Sequence, residues 1–67
     1  MEIIVNRIKE NRARLNLTQD QIAKEIGVSR VTLGKIENGS NPGLLTALKL
    51  ADAFEIGINE LFNLKTK

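Results

Sequence analysis

Residues 17–39 read LTQDQIAKEIGVSRVTLGKIENG, two short helix signals separated by a Gly-Val-Ser break. Thr18 followed three residues later by Gln21 is a capping box: the threonine hydroxyl accepts from the Gln21 amide, and the Gln21 side chain reaches back to the Thr18 N–H. A helix therefore begins at Gln19. Ile22, Ala23 and Ile26 share one face of it, with Asp20, Lys24 and Glu25 on the other. Gly27 supplies the left-handed residue that ends it. Ser29 caps a second helix, whose inner face carries Leu33 and Ile36 and whose stop is Gly39.

Two helices joined so tightly pack at a steep angle, which leaves the second projecting from the surface. Arg30, Val31, Gly34 and Lys35 occupy its outward side and first turn. A DNA major groove admits such a helix, with the N-terminal turn against the base edges. Arg30 can there donate two parallel hydrogen bonds to guanine O6 and N7, a contact worth about 1–3 kcal/mol of discrimination. The alternative is a phosphate contact, which positions without specifying. Val31, apolar yet outward, suits a thymine methyl or serves as a half-buried spacer. Lys35 and Asn38 lie toward the far end of the same helix, in reach of flanking phosphates. Ser29 has a cap to make and is also placed to touch DNA.

Composition narrows the alternatives. Sixty-seven residues are expected to form one domain, residues 1–67, near the lower size limit for folding without staples. There is no cysteine or histidine, so no disulfide, zinc site or nucleophile with its base is expected, and an enzyme is disfavoured. Phe54 and Phe62 are the only aromatic residues, too few for a single-strand stacking platform. The longest apolar run considered, Ile3-Ile4-Val5, is too short for a membrane span or secretory signal, so a reducing cytoplasm is the expected compartment. The net charge is only +2, but it is uneven: through Ser40 there are seven Lys or Arg against five acids, and three of each thereafter.

No repeat or low-complexity segment interrupts the chain. A first helix is expected over residues 6–16, with Ile8, Arg12 and Leu15 at helical spacing. Ser40-Asn41-Pro42-Gly43 is a turn, followed by a helix over residues 44–54 that buries Leu48 and Ala51 with Ala47, Leu50 and Phe54, and by a short helix over residues 58–62. At the two ends apolar and polar residues alternate. They either pair as a small two-stranded sheet, the favoured reading, or the N-terminus frays into the first helix.

The order and spacing of Thr18-Gln19, Ile22-Ala23, Gly27-Val28-Ser29, Leu33 and Ile36-Glu37-Asn38-Gly39 resemble the phage-repressor or Cro-like family of helix-turn-helix regulators, also called XRE-type. Arg12 upstream, and Asn41-Pro42, Leu48, Ala51 and Glu60-Leu61-Phe62 downstream, extend the likeness to residues 6–62. It implies an all-α, compact five-helix repressor-like domain with its helix-turn-helix in helices 2 and 3, to which the terminal segments add the small sheet. The implied function is sequence-specific binding of double-stranded DNA as a dimer on a palindromic operator, with no cofactor, metal, small-molecule ligand or membrane involved. An antitoxin-like or anti-repressor interaction module with secondary DNA binding is the alternative. Gln19 resembles the family's phosphate-clamping residue at an anion-attracting helix end. In the family, the positions of Arg12 and Glu37 form a buried salt bridge. The apolar group Ile56, Ile58, Leu61, Phe62 and Leu64 is the expected dimer interface.

The chain departs from the family pattern at definite places. Asn11 replaces an apolar residue of the first helix, leaving the core polar or open there. Gly34 sits within the proposed recognition helix at a cost of about 0.8–1 kcal/mol relative to alanine. Gly43 and Gly57 stand in for serine caps, Glu55 for a glycine or asparagine stop, and Leu45 is apolar where the family is polar.

Overall fold

The computed structural model describes residues 2–66. In chain order it has β1 (Glu2–Asn6), α1 (Ile8–Leu15), α2 (Gln19–Ile26), α3 (Arg30–Glu37), α4 (Leu44–Phe54), α5 (Ile58–Leu61) and β2 (Phe62–Thr66). Five helices and one two-stranded antiparallel sheet thus make up the described residues, and the strand pairing expected of the termini is present. Ile3 pairs with Lys65, Ile4 with Leu64, Val5 with Asn63 and Asn6 with Phe62.

One device ends most of the helices. A left-handed residue follows the last turn, and the amide of the next residue closes a six-residue hydrogen-bonded loop onto the helix. Leu17 N donates to Arg12 O at 2.8 Å after left-handed Asn16, Val28 N to Ala23 O at 2.9 Å after Gly27, and Ile56 N to Ala51 O at 3.1 Å after Glu55. Leu17, Val28 and Ile56 then pack against the core. Sequence and geometry agree at Gly27, where φ is +79°. They conflict at Glu55, which holds φ +57° despite its Cβ, at a cost of roughly 1–2 kcal/mol.

The core is built from Ile8 of α1, Ile22, Ala23 and Ile26 of α2, Leu33 and Ile36 of α3, Leu50, Ala51 and Phe54 of α4, and Leu61 of α5. Two apolar expectations are corrected. Leu48 is 48% exposed, because the inward stripe of α4 runs Ala47, Leu50, Ala51, Phe54 and leaves Leu48 about 100° to one side of it. Leu15 is also exposed, since α1 stops there and Leu17 takes the apolar position beyond the turn. Three boundaries move as well. α1 runs Ile8–Leu15 instead of 6–16, and α5 ends at Leu61 instead of 62.

The late start of α1 follows from Asn6, which belongs to the sheet. Its Oδ1 accepts from Ile8 N at 3.2 Å, so it supplies the cap that Arg7 lacks. Its Nδ2 donates to Ile36 O at 3.0 Å and to Glu37 O at 3.4 Å, satisfying carbonyls at the end of α3. One asparagine thereby ties the strand to two helix ends. Asn11 is half-buried and its amide returns to Arg7 O at 2.8 Å, on the rim of a surface hollow shared with Arg14 and Ile56.

Candidate nucleic-acid interface

The two helices of the opening motif are capped as their side chains dictate. Thr18 Oγ1 accepts from Gln21 N at 3.1 Å while Gln21 Oε1 accepts from Thr18 N at 2.7 Å. Ser29 Oγ accepts from Thr32 N at 3.0 Å. Each cap satisfies an amide that the first turn would otherwise leave open, an arrangement worth about 1 kcal/mol. On α3, Leu33 and Ile36 are buried, whereas Arg30, Val31, Thr32, Lys35 and Asn38 are exposed. Val31 keeps 68% of its surface open, a large fraction for a β-branched apolar side chain.

Gln19, Thr18, Asp20 and Arg30 border one open hollow of about 400 Å³, with Arg12 and Leu17 behind them. The N-terminus of α2, a cation and a carboxamide thus converge on one side of the first turn of α3. Lys35 and Asn38 lie toward the other end of α3, roughly 7.5 and 12 Å along the axis from Arg30. Asn38 is the C-cap of that helix, its amide donating to Gly34 O and Lys35 O.

Ser29 is more committed than its position suggests. Besides accepting the Thr32 amide, its hydroxyl lies 2.9 Å from Thr32 Oγ1, so the two hydroxyls share one hydrogen bond. Thr32, exposed on the same turn, adds a second hydroxyl to this surface. Its place one turn in from the cap, on the outward side beside Val31, was the signal available in the sequence.

Behind this surface lies a charged pair. Arg12 Nε donates to Glu37 Oε2 at 2.8 Å and Arg12 Nη2 to Glu37 Oε1 at 3.1 Å, a bidentate fork with the carboxylate 3% and the guanidinium 15% exposed. Arg12 Nη1 also donates to Leu17 O at 3.2 Å, just ahead of the α2 cap. Glu37 is the last residue of α3, where a carboxylate faces the negative end of the helix dipole, and the guanidinium offsets that placement. Gln19 Nε2 joins the same carboxylate at 3.2 Å from Oε1.

The expected dimer residues are dispersed. Leu61 has no exposed surface and belongs to the core, because α5 is a single turn that points its one leucine inward; it is withdrawn from any interface. Ile56, Ile58 and Phe62 are half-buried against the core, and only Leu64 stands open, at 70%. Away from α3, most of the exposed apolar surface lies instead on α4 and the sheet, in Leu44, Leu45, Leu48, Ile4, Val5 and Leu64. Ile4, Leu44, Ala47, Ile58 and Phe62 line a hollow of about 250 Å³ between them, with no charged residue on its wall.

A capped helix pair joined by a left-handed glycine, with the second helix bearing exposed Arg, Val, Thr and Lys, is the geometry of a helix that reads nucleic acid. The comparisons with known proteins agree. The chain belongs to the Helix-turn-helix family, whose pattern matches residues 8–61. It is 46% identical over 57 residues, covering 84% of this chain and 80% of the relative, to an uncharacterized HTH-type transcriptional regulator of Archaeoglobus fulgidus. It is 42% identical over 59 residues, 87% of this chain and 53% of the relative, to the cryptic phage CTXphi transcriptional repressor RstR of Vibrio cholerae. A crystal structure from Bacteroides fragilis, described as that of a candidate DNA-binding protein, superposes with a TM-score of 0.81 at 27% identity over 91% of this chain and all of that one. The family is one of XRE-type, DNA-binding transcriptional regulators and not of enzymes. Among the described residues no helix is long and apolar enough to cross a membrane.

Proposed function

We propose that this protein is a repressor that binds a palindromic operator in double-stranded DNA as a homodimer, with α3 in the major groove. The observation that carries the reading is the first turn of α3, where Arg30 and Val31 stand exposed beside the hollow that Gln19 and Thr18 border. Arg30 reads a guanine, Val31 packs on a thymine methyl and Thr32 adds a hydroxyl donor. Gln19 holds a phosphate on one flank, Lys35 and Asn38 hold the backbone on the other, and Ser29 caps α3 at the same surface. A cytoplasmic location goes with this reading.

The dimer rests on an apolar surface outside the reading helix. Leu44, Leu48, Ile4 and Leu64 form an uncharged apolar face around the 250 Å³ hollow, the kind of surface that a second copy covers by two-fold symmetry. Two copies so joined place their α3 helices on one side of the duplex, about one DNA turn (~34 Å) apart.

Selection of bound sequences from random duplex DNA, followed by titration of the winner at several salt concentrations, tests the reading. A palindrome with half-sites one turn apart, and a steep salt slope from phosphate contacts, is the expected result. Enrichment of no sequence overturns it. Sedimentation at rising protein concentration tests the dimer: Leu44→Lys is expected to keep the protein monomeric without lowering its melting temperature, and a variant that dimerises like the parent moves the interface elsewhere.

A further inference from the structure

Glu37 Oε1 has two donors, Arg12 Nη2 at 3.1 Å and Gln19 Nε2 at 3.2 Å, and this shared oxygen joins the buried ion pair to the rim of the interface. We infer that Glu37 is a positioning residue for DNA binding, holding the Gln19 carboxamide in the orientation that presents an N–H to a phosphate. The inference rests on the proposed phosphate role of Gln19.

A carboxamide has two nearly equivalent faces. Turned one way it offers N–H donors, and turned the other way a carbonyl oxygen that a phosphate repels. An ionised carboxylate accepts and cannot donate, so Glu37 selects one of the two: Nε2 lies toward Oε1, and the second N–H of the same group is left for an outside acceptor. Glu37 is itself fixed. Its side chain is 3% exposed, its other oxygen is taken by Arg12 Nε at 2.8 Å, and the guanidinium keeps a carboxylate near the DNA backbone from acting as a free negative charge. The bond passes close to α3 without crowding it: a Cβ at position 34 would lie 4.0 Å from Gln19 Nε2, an ordinary contact. A side chain already held in its bound orientation loses less entropy on binding than a mobile one.

Arg12 is the internal control. Arg12→Lys weakens the fork and lowers stability but leaves the Gln19 to Glu37 bond in place. Glu37→Gln can rotate its own amide toward Gln19 and releases the orientation. Duplex affinity is measured for both changes in the parent and in a Gln19→Ala background, at a temperature where circular dichroism shows each variant folded. Glu37→Gln is expected to weaken binding about three- to tenfold beyond the effect of Arg12→Lys, and to lose that excess in the Gln19→Ala background. Equal excess in both backgrounds makes Glu37 purely structural and overturns the inference. Should Gln19→Ala bind as the parent does, the phosphate role of Gln19 fails with it, whereas base preference at Arg30 stands or falls separately. Where Glu37→Gln does not fold, side-chain amide relaxation of Gln19 in the parent protein decides. A Gln19 amide as rigid as the helix backbone supports the assignment, and a freely rotating one overturns it.

Discussion

The half of the molecule around α2 and α3 and the half around α4, α5 and the sheet are held by different means. In the first, the side chains of Thr18, Gln21, Ser29, Arg12, Glu37 and Gln19 are tied into short-range or crossing hydrogen bonds. In the second, α4 and α5 begin at Gly43 and Gly57 without a side-chain cap. The side-chain bonds past Ser40, among the described residues, are those from Gly43 N to Asn41 Oδ1 and from Gly57 N to Glu60 Oε2. That half instead contributes Leu50, Ala51, Phe54 and Leu61 to the core and leaves three leucines of α4 in the open. Polar geometry fixes where the reading helix points. Apolar volume fixes only that the other half packs, which tolerates imperfect helix ends.

The largest test of this contrast is Arg12→Ala. It strands Glu37 as a buried, unpaired carboxylate and is expected to cost about 3–5 kcal/mol, enough to unfold much of a chain this size near body temperature. Thermal unfolding followed by circular dichroism checks it, and an unchanged melting curve removes the ion pair from the account. Next is Arg30→Ala, expected to relax preference at one base pair per half-site by about 1–3 kcal/mol while leaving the melting temperature alone. Uniform weakening of all sequences would reassign Arg30 to a phosphate.

Two helix stops give a third test with opposite signs. Gly27→Ala meets no neighbour within 4 Å, so its cost is backbone strain alone, about 1–2 kcal/mol. Glu55→Gly relieves the same strain at the end of α4 and is expected to stabilise by about 1 kcal/mol, a rise of about 4–8 °C in Tm. Matching signs would break the claim that the two halves differ in how well their ends fit. The smallest effect is expected of Gly34→Ala, a gain of about 0.8–1 kcal/mol from helix propensity, because the added methyl makes only ordinary contact with Gln19. A loss of duplex affinity alongside that gain would show that the glycine serves close approach to DNA.

Much of the reading half was legible in sequence because its signals are local. Thr18 with Gln21, Ser29, Gly27 and the 3.6-residue spacing of Ile22, Ile26, Leu33 and Ile36 each act within one or two turns. The limits of α4 at residues 44 and 54 were legible for the same reason. What could not be read depends on partners far along the chain. Leu48 and Leu61 exchange their expected environments because neighbouring helices, not the period alone, decide which side of an apolar helix is covered. Gly43 resembles a missing serine cap, yet it sits at φ +76° and ψ 160°, a region closed to residues with a side chain. The bond from Gln19 to Glu37 spans eighteen residues and that from Asn6 to Ile36 spans thirty, and no spacing rule foretells either.

Asn6 also sets an order of events. It lies on β1, whose partner strand β2 comes about sixty residues later, so the pairing closes a loop as long as nearly the whole chain. Contacts between such distant segments form slowly relative to the helices between them. Until the strands meet, Asn6 has no fixed place from which to reach Ile36 O and Glu37 O. The carbonyl end of α3 is therefore expected to be completed after its turns have formed, when the two strands meet.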